Sequence, residues 1–122
     1  MQSEPINRDV MSDRFLCFSV NVIQFCTKLQ RTYMGRHIAN QLFRSATSSG
    51  ANYEEAIGAE SRADFVHKLQ LVLKELRESI YWIKIIQRSP NFSNSDAEAL
   101  LKEAIELSLI VGKSVLTTKQ RS

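Results

Sequence analysis

The chain has 122 residues, of which 43% are apolar and 24% are charged, and this composition is typical of one soluble globular domain. Sixteen basic against thirteen acidic side chains give a net charge of +3, which is too small for the dense basic surface of a dedicated nucleic-acid binder. The apolar runs are too short to span a membrane, and no secretory signal peptide is visible at the N-terminus.

Four segments show apolar residues at every third or fourth position, which predicts α-helices over about 13–31, 36–57, 62–87 and 96–117. Their connections are short, so neighbouring helices should run antiparallel. The sequence therefore predicts an all-α fold, an antiparallel up-down-up-down four-helix bundle over 13–117. A flexible N-terminal arm (1–12) and a flexible C-terminal tail (118–122) are expected on either side.

The predicted helix ends carry recognisable signals. Gly35 is expected to stop the first helix, and Pro90 to break the third. Ser61 and Ser95 each stand three residues before an acidic residue, which is the pattern of a capping box at the start of the third and fourth helices.

The two cysteines and two histidines offer no metal or catalytic site. Cys17 and Cys26 lie nine residues apart on one predicted helix and face opposite sides, so they cannot pair within the chain. Di-metal bundles need repeated Glu-x-x-His motifs, and the nearest relative here is Asp64-x-x-His67. We therefore expect no metal, no cofactor and no catalytic residues, with reduced thiols in a cytoplasmic protein.

Seven consecutive small residues occupy 45–51 and resemble a linker by composition. The apolar pattern of Leu42 before them and Tyr53 after them nevertheless continues at helical spacing. A helix with a small-residue surface lets another helix approach closely, so a packing role is preferred over a serine nucleophile.

The first helix carries a second apolar stripe, beside the stripe that should form the core, at Leu16, Val20 and Ile23. Trp82 likewise lies outside the main core stripe of the third helix. Exposed apolar side chains of this kind are better explained by a subunit interface than by a monomer surface.

Four polar residues are expected to be structural rather than catalytic. The indole N–H of Trp82 has Glu75 and Glu78 as possible acceptors on its own helix. Glu55 lies eleven residues after Arg44 on nearly the same helix face, which suggests an ion pair between them.

The third helix also carries a basic stripe with one aromatic residue. Spacings of three and four residues place its members on one side of the helix: Lys74, Arg77, Tyr81, Lys84 and Arg88. Such a stripe can follow a phosphate backbone while the tyrosine stacks on a base. The alternative is an ordinary solvated helix face.

The pattern Q-L-x-R-S-A-T-S-x-G-A-N-Y-x-E-A over 41–56, with S-x-x-D-F-x-x-K-L over 61–69 and K-E-x-x-E-x-x-Y-W over 74–82, resembles the bacterial family of 23S ribosomal RNA intervening-sequence proteins. The resemblance covers about 13–117. It implies a closed homopentamer of antiparallel bundles with no established enzymatic activity. A related branch, the accessory variability proteins of diversity-generating retroelements, binds a reverse transcriptase and nucleic acid through a basic surface.

Two functions remain open at this point. The first is a non-enzymatic homo-oligomer that binds RNA, DNA or a nucleic-acid-handling protein through the basic face of the third helix. The second is a protein-interaction scaffold with no nucleic-acid role.

Overall fold

The computed structural model describes residues 8–92 and 96–121. These residues form four α-helices, a short 3-10 helix and no strand, consistent with a four-helix bundle. The all-α prediction is confirmed. The helices are α1 (Arg8–Thr27), α2 (Tyr33–Ile57), α3 (Arg62–Arg88) and α4 (Asp96–Gln120), and the 3-10 helix is Pro90–Phe92.

One core lies between the four helices. α3 packs against both α2 and α4, whereas α1 packs mainly on α2 and makes a smaller contact with α4. Apolar residues at helical spacing supply this core, and the largest of them are fully buried: Phe15, Phe18, Leu42, Leu69, Leu76, Ile83, Ile86 and Leu107. The period of about 3.6 residues puts these side chains on one face of each helix.

The start and end of α3 agree with the sequence signals. The Ser61 hydroxyl accepts a hydrogen bond from the Asp64 backbone N–H at 3.0 Å, which satisfies one of the free donors of the first turn. The helix ends at Arg88, directly before Ser89 and Pro90. The predicted cap at Ser95 lies outside the described residues.

α1 begins earlier and α4 ends later than predicted. α1 starts at Arg8, five residues before the predicted start at about 13. Met11 is buried one turn before Phe15, so the apolar face of α1 begins earlier than predicted. α4 continues to Gln120, three residues beyond the predicted end.

Gly35 does not stop α1, which ends at Thr27. It lies instead in the first turn of α2, where a Cβ atom would stand 1.9 Å from the Leu29 carbonyl oxygen. Glycine is therefore required because the start of α2 crosses the preceding turn at very short range. The Thr32 hydroxyl, which accepts from the Gly35 N–H at 3.0 Å, caps this turn.

The small-residue run is helical and closely packed, as predicted. Ser45 and Ser49 are fully buried, and the Ser45 Oγ lies 2.8 Å from the Ser79 Oγ of α3. On the side toward α1, a Cβ atom added to Gly50 would lie 3.5 Å from the Phe15 Cβ. The run thus lets α2 approach α1 and α3 closely.

Candidate nucleic-acid interface

The outer side of α3 carries the predicted basic stripe. All five of its members are exposed: Lys74, Arg77, Tyr81, Lys84 and Arg88. With a rise of 1.5 Å per residue, the stripe extends about 21 Å along the helix. The structure therefore presents these side chains together on one continuous surface.

The four cations of this stripe form no salt bridge within the described part of the chain. The side of α3 toward α2 differs, because there Lys68 donates to the Glu55 Oε1 of α2 at 2.7 Å. Lys74 lies close enough to Glu78 to help lower the pKa of that carboxyl. Arg77, Lys84 and Arg88 extend the positive surface beyond this point.

Tyr81 lies between Arg77 and Lys84 in the stripe and is 60% exposed. Its ring contacts Trp82 edge-on, with the ring centroids 5.3 Å apart. This contact supports the tyrosine from one side while most of the side chain faces solvent. Proteins that bind single-stranded nucleic acids commonly stack the bases on exposed aromatic rings that lie between cationic side chains.

A polar cluster joins α2 to α3 beside this surface. Arg44 donates to the Glu75 Oε1 at 3.4 Å and also to Glu78. The Trp82 Nε1–H donates to the Glu78 Oε2 at 3.1 Å, as the sequence suggested, and the Ser48 hydroxyl lies 3.4 Å from the Glu75 Oε2. The Arg44 guanidinium and the Trp82 indole hold the pKa of Glu78 below its usual value.

The predicted pair between Arg44 and Glu55 does not form. Eleven residues separate them by about 16 Å along the helix axis, and α3 offers Arg44 two nearer carboxylates. Glu55 binds Lys68 instead. All four residues predicted as structural polar groups are therefore in ion pairs: Arg44 and Glu55 have partners other than each other, whereas Glu78 accepts from Trp82 as predicted.

Trp82 does not share the exposed apolar surface of α1. It is half-buried against the core and its ring lies 6.0 Å from His37, centroid to centroid. The structure therefore places Trp82 in the α2–α3 seam, where its N–H and its ring both have partners within the chain.

The other interface candidates line an open groove between α1 and α2. Leu16, Val20 and Ile23 are exposed on α1, with Leu16 at 63%. The α2 side of the groove is formed by the small residues Thr47, Gly50 and Ala51. The small-residue run thus has a second effect, because it leaves a depression along the outside of α2.

Two features were missed from the sequence. Arg14 of α1 donates to the Glu103 carboxylate of α4 at 2.7 and 3.1 Å and to Glu106 at 3.0 Å. No local spacing reveals this ion pair, because its partners lie about 90 positions apart. The exposed apolar residues Leu109 and Leu116 of α4 were also missed, although their seven-residue spacing was visible in the sequence.

The described residues contain no cluster of three or more metal-ligating side chains. Within the same residues, no helix has the length and apolar character needed to cross a membrane. In the described part of the chain, every buried side-chain nitrogen or oxygen has a hydrogen-bond partner.

These features define an all-α, four-helix protein with an exposed basic helix face, an arginine–carboxylate seam and an apolar groove. The family model described as 23S rRNA-intervening sequence protein matches residues 13–113. The chain belongs to this family, which confirms the resemblance carried by the α2 and α3 motifs.

A solved structure supports the same assignment. A crystal structure of a protein of unknown function from the S23 ribosomal protein family of Bacteroides thetaiotaomicron matches with a TM-score of 0.81 and 30% sequence identity. The match covers 88% of this chain and 96% of that one. A comparison with curated proteins gives no match.

Proposed function

We propose that this chain is a non-enzymatic, homo-oligomeric bundle protein that binds nucleic acid through the basic face of α3. A nucleic-acid-handling protein with an acidic surface would be recognised through the same face. The observation that carries the proposal is the exposed row of Lys74, Arg77, Lys84 and Arg88, with no carboxylate paired to it among the described residues and with Tyr81 in its centre.

The chemistry of the face suits an extended polyanion. Lysine and arginine contacts to phosphates release bound counterions, and this term supplies most of sequence-independent affinity. Stacking of a base on Tyr81 would add about 1–3 kcal/mol without requiring a particular sequence. We therefore propose binding with low sequence specificity and strong salt dependence.

Self-association is the second part of the proposal. The family resemblance implies a closed homopentamer. Five chains with a net charge of +3 each would carry +15, and the basic face of α3 would be repeated five times around the assembly. We also propose that neighbouring helices run antiparallel. In support, Lys28 directly after α1 pairs with Asp96 at the start of α4, whereas Arg14 near the start of α1 pairs with Glu103 further along α4.

The carboxylates of the α2–α3 seam are proposed to be structural, because Glu75 and Glu78 are both bound to Arg44. A general acid or base would need a group free to exchange a proton with a substrate. We propose that the protein acts in the cytoplasm, where both of its free cysteines stay reduced.

The runner-up function is a protein-interaction scaffold without a nucleic-acid role. The observation in its favour is the open apolar groove at Leu16, Val20 and Ile23, a surface that soluble monomers seldom expose. In that case, removing the α3 cations would leave every interaction of the protein unchanged.

The test compares two variants that lose the same charge. Arg77→Ala with Lys84→Ala removes two cations of the face, whereas Arg31→Ala with Arg36→Ala removes two exposed cations elsewhere. Affinity for a fluorescein-labelled single-stranded oligouridine is measured by anisotropy. We expect at least about a tenfold loss for the face variant, which corresponds to about 1.4 kcal/mol, and a much smaller loss for the control.

Equal losses in the two variants would show that only net charge matters and would contradict the assignment of the face. No binding by the unaltered protein at low salt would reject the nucleic-acid proposal and favour the scaffold.

A further inference from the structure

α4 presents an unpartnered apolar stripe on its outer side. Ile105, Leu109, Gly112 and Leu116 recur at spacings of four, three and four residues, so they share one helix face. Leu109 is 69% exposed and Leu116 is 62% exposed. These are among the most exposed large apolar side chains of the described residues.

Gly112 makes a notch in the middle of this stripe. A Cβ atom added there would meet nothing within 4 Å, so no contact inside the subunit requires a glycine. Glycine within a helix costs about 1 kcal/mol relative to alanine. A close approach from outside the subunit accounts for a glycine at this position.

The α1–α2 groove has the complementary shape. Its α1 wall consists of Leu16, Val20 and Ile23, and its α2 wall is lowered by Gly50 and Ala51. An aliphatic ridge on the surface of a second helix can enter such a groove, which is the normal way in which helices pack.

The charges at the edges of the two surfaces are opposite. The carboxylates of Asp13 and Glu54 line the groove. On α4, the helical spacing places Lys102 and Lys113 beside the apolar stripe, and the Glu106 carboxylate on the same edge is already paired with Arg14 of its own subunit. Opposite charges at the rim favour one orientation of docking and disfavour contact between two grooves.

We infer that the α4 stripe of one copy of this chain docks in the α1–α2 groove of the next copy. This inference rests on the proposed self-association and specifies its geometry. Because the two surfaces are different parts of the subunit, the contact is heterologous, and a docked pair keeps a free groove on one copy and a free stripe on the other. Repetition of such a contact closes into a ring when the rotation between subunits permits it.

The test uses one substitution on each surface and measures mass by size-exclusion chromatography with light scattering. Leu109→Asp disables the stripe but leaves the groove, and Val20→Asp disables the groove but leaves the stripe. Met34→Asp, at an exposed methionine in the first turn of α2, is the matched control. Circular dichroism of each variant verifies that the helices are retained.

We expect each disabling variant to be monomeric alone and the control to keep the size of the unaltered protein. An equimolar mixture of the two disabled variants should form a heterodimer and nothing larger, because only one stripe and one groove remain intact. This outcome is specific to a heterologous contact.

Two results would overturn the inference separately from the proposed function. If Leu109→Asp keeps the full oligomer, self-association stands and the α4 docking surface is wrong. If both variants are monomeric and their mixture gives no heterodimer, the contact is not between stripe and groove. A monomeric unaltered protein would reject the inference together with the proposed oligomer, whereas oligouridine binding tests the α3 face by itself.

Discussion

Gly50 allows the close packing of α2 on α1 to be tested by increasing side-chain volume at a single position. In Gly50→Ala, the new Cβ would lie 3.5 Å from the Phe15 Cβ and 3.6 Å from the Ser19 Oγ, which are ordinary van der Waals distances. Alanine also restores helix propensity. We therefore expect the free energy of unfolding to rise by about 0.5–1 kcal/mol.

In Gly50→Leu, three further carbon atoms must fit beyond a Cβ that already contacts Phe15 and Ser19 of α1, at the floor of the α1–α2 groove. Overpacking of this kind costs about 1–3 kcal/mol, so the leucine variant should be less stable than the alanine variant by about 1.5–4 kcal/mol. Urea unfolding followed by circular dichroism measures the difference. Using two protein concentrations separates subunit stability from self-association.

Equal stability of Gly50→Ala and Gly50→Leu would refute the reasoning, because it would show that α1 does not restrict the volume at this position. The same result would remove the packing argument for small residues at 45–51, which resemble a linker by composition.

Three other measurements address the polar groups and the thiols. Ser79→Ala should lower the free energy of unfolding by about 1 kcal/mol. The loss should be smaller when Ser45→Ala is already present, because the two hydroxyls share one hydrogen bond. Fully additive losses in a double-mutant cycle would contradict this hydrogen bond. The pKa of Glu78 is lower folded than unfolded, so its contribution of up to about 1 kcal/mol is present at neutral pH and lost as the pH falls below about 4.5. In Glu78→Gln, the free energy of unfolding should therefore fall less steeply as the pH is lowered below about 4.5. The same pH dependence in the variant and the unaltered protein would refute the ion pair. Cys17 is exposed, whereas burial raises the pKa of the Cys26 thiol to about 11. Ellman's reagent should therefore react quickly with Cys17 and with Cys26 only on unfolding. Fast reaction of both thiols would contradict the buried position of Cys26.

The helices were predictable because their signals are local. Apolar spacing, the Ser61 cap and Pro90 placed both ends of α3 within one residue, since each signal acts within one turn of the residue that carries it. The small-residue run was recognisable as helix for the same reason, because Leu42 and Tyr53 on either side keep the period.

The partners of charged side chains were harder to predict because they depend on how helices are placed against each other. Arg44 had an apparent partner in its own helix, yet α3 supplies two carboxylates at shorter range. Arg14 had no local signal at all, since Glu103 becomes its neighbour only after α1 packs on α4. The exposure of the α3 stripe followed from spacing alone, because a helix face that carries only polar and charged residues stays outside the core.

The salt dependence of oligouridine binding tests the central proposal most directly. Each cation that contacts a phosphate of single-stranded nucleic acid contributes about −0.7 to the slope of log K against log salt concentration, so four contacts give about −2.8. We expect that slope for the unaltered chain, and about −1.4 after Arg77→Ala with Lys84→Ala. Binding that is insensitive to salt, or an unchanged slope in this variant, would contradict a nucleic-acid interface on α3.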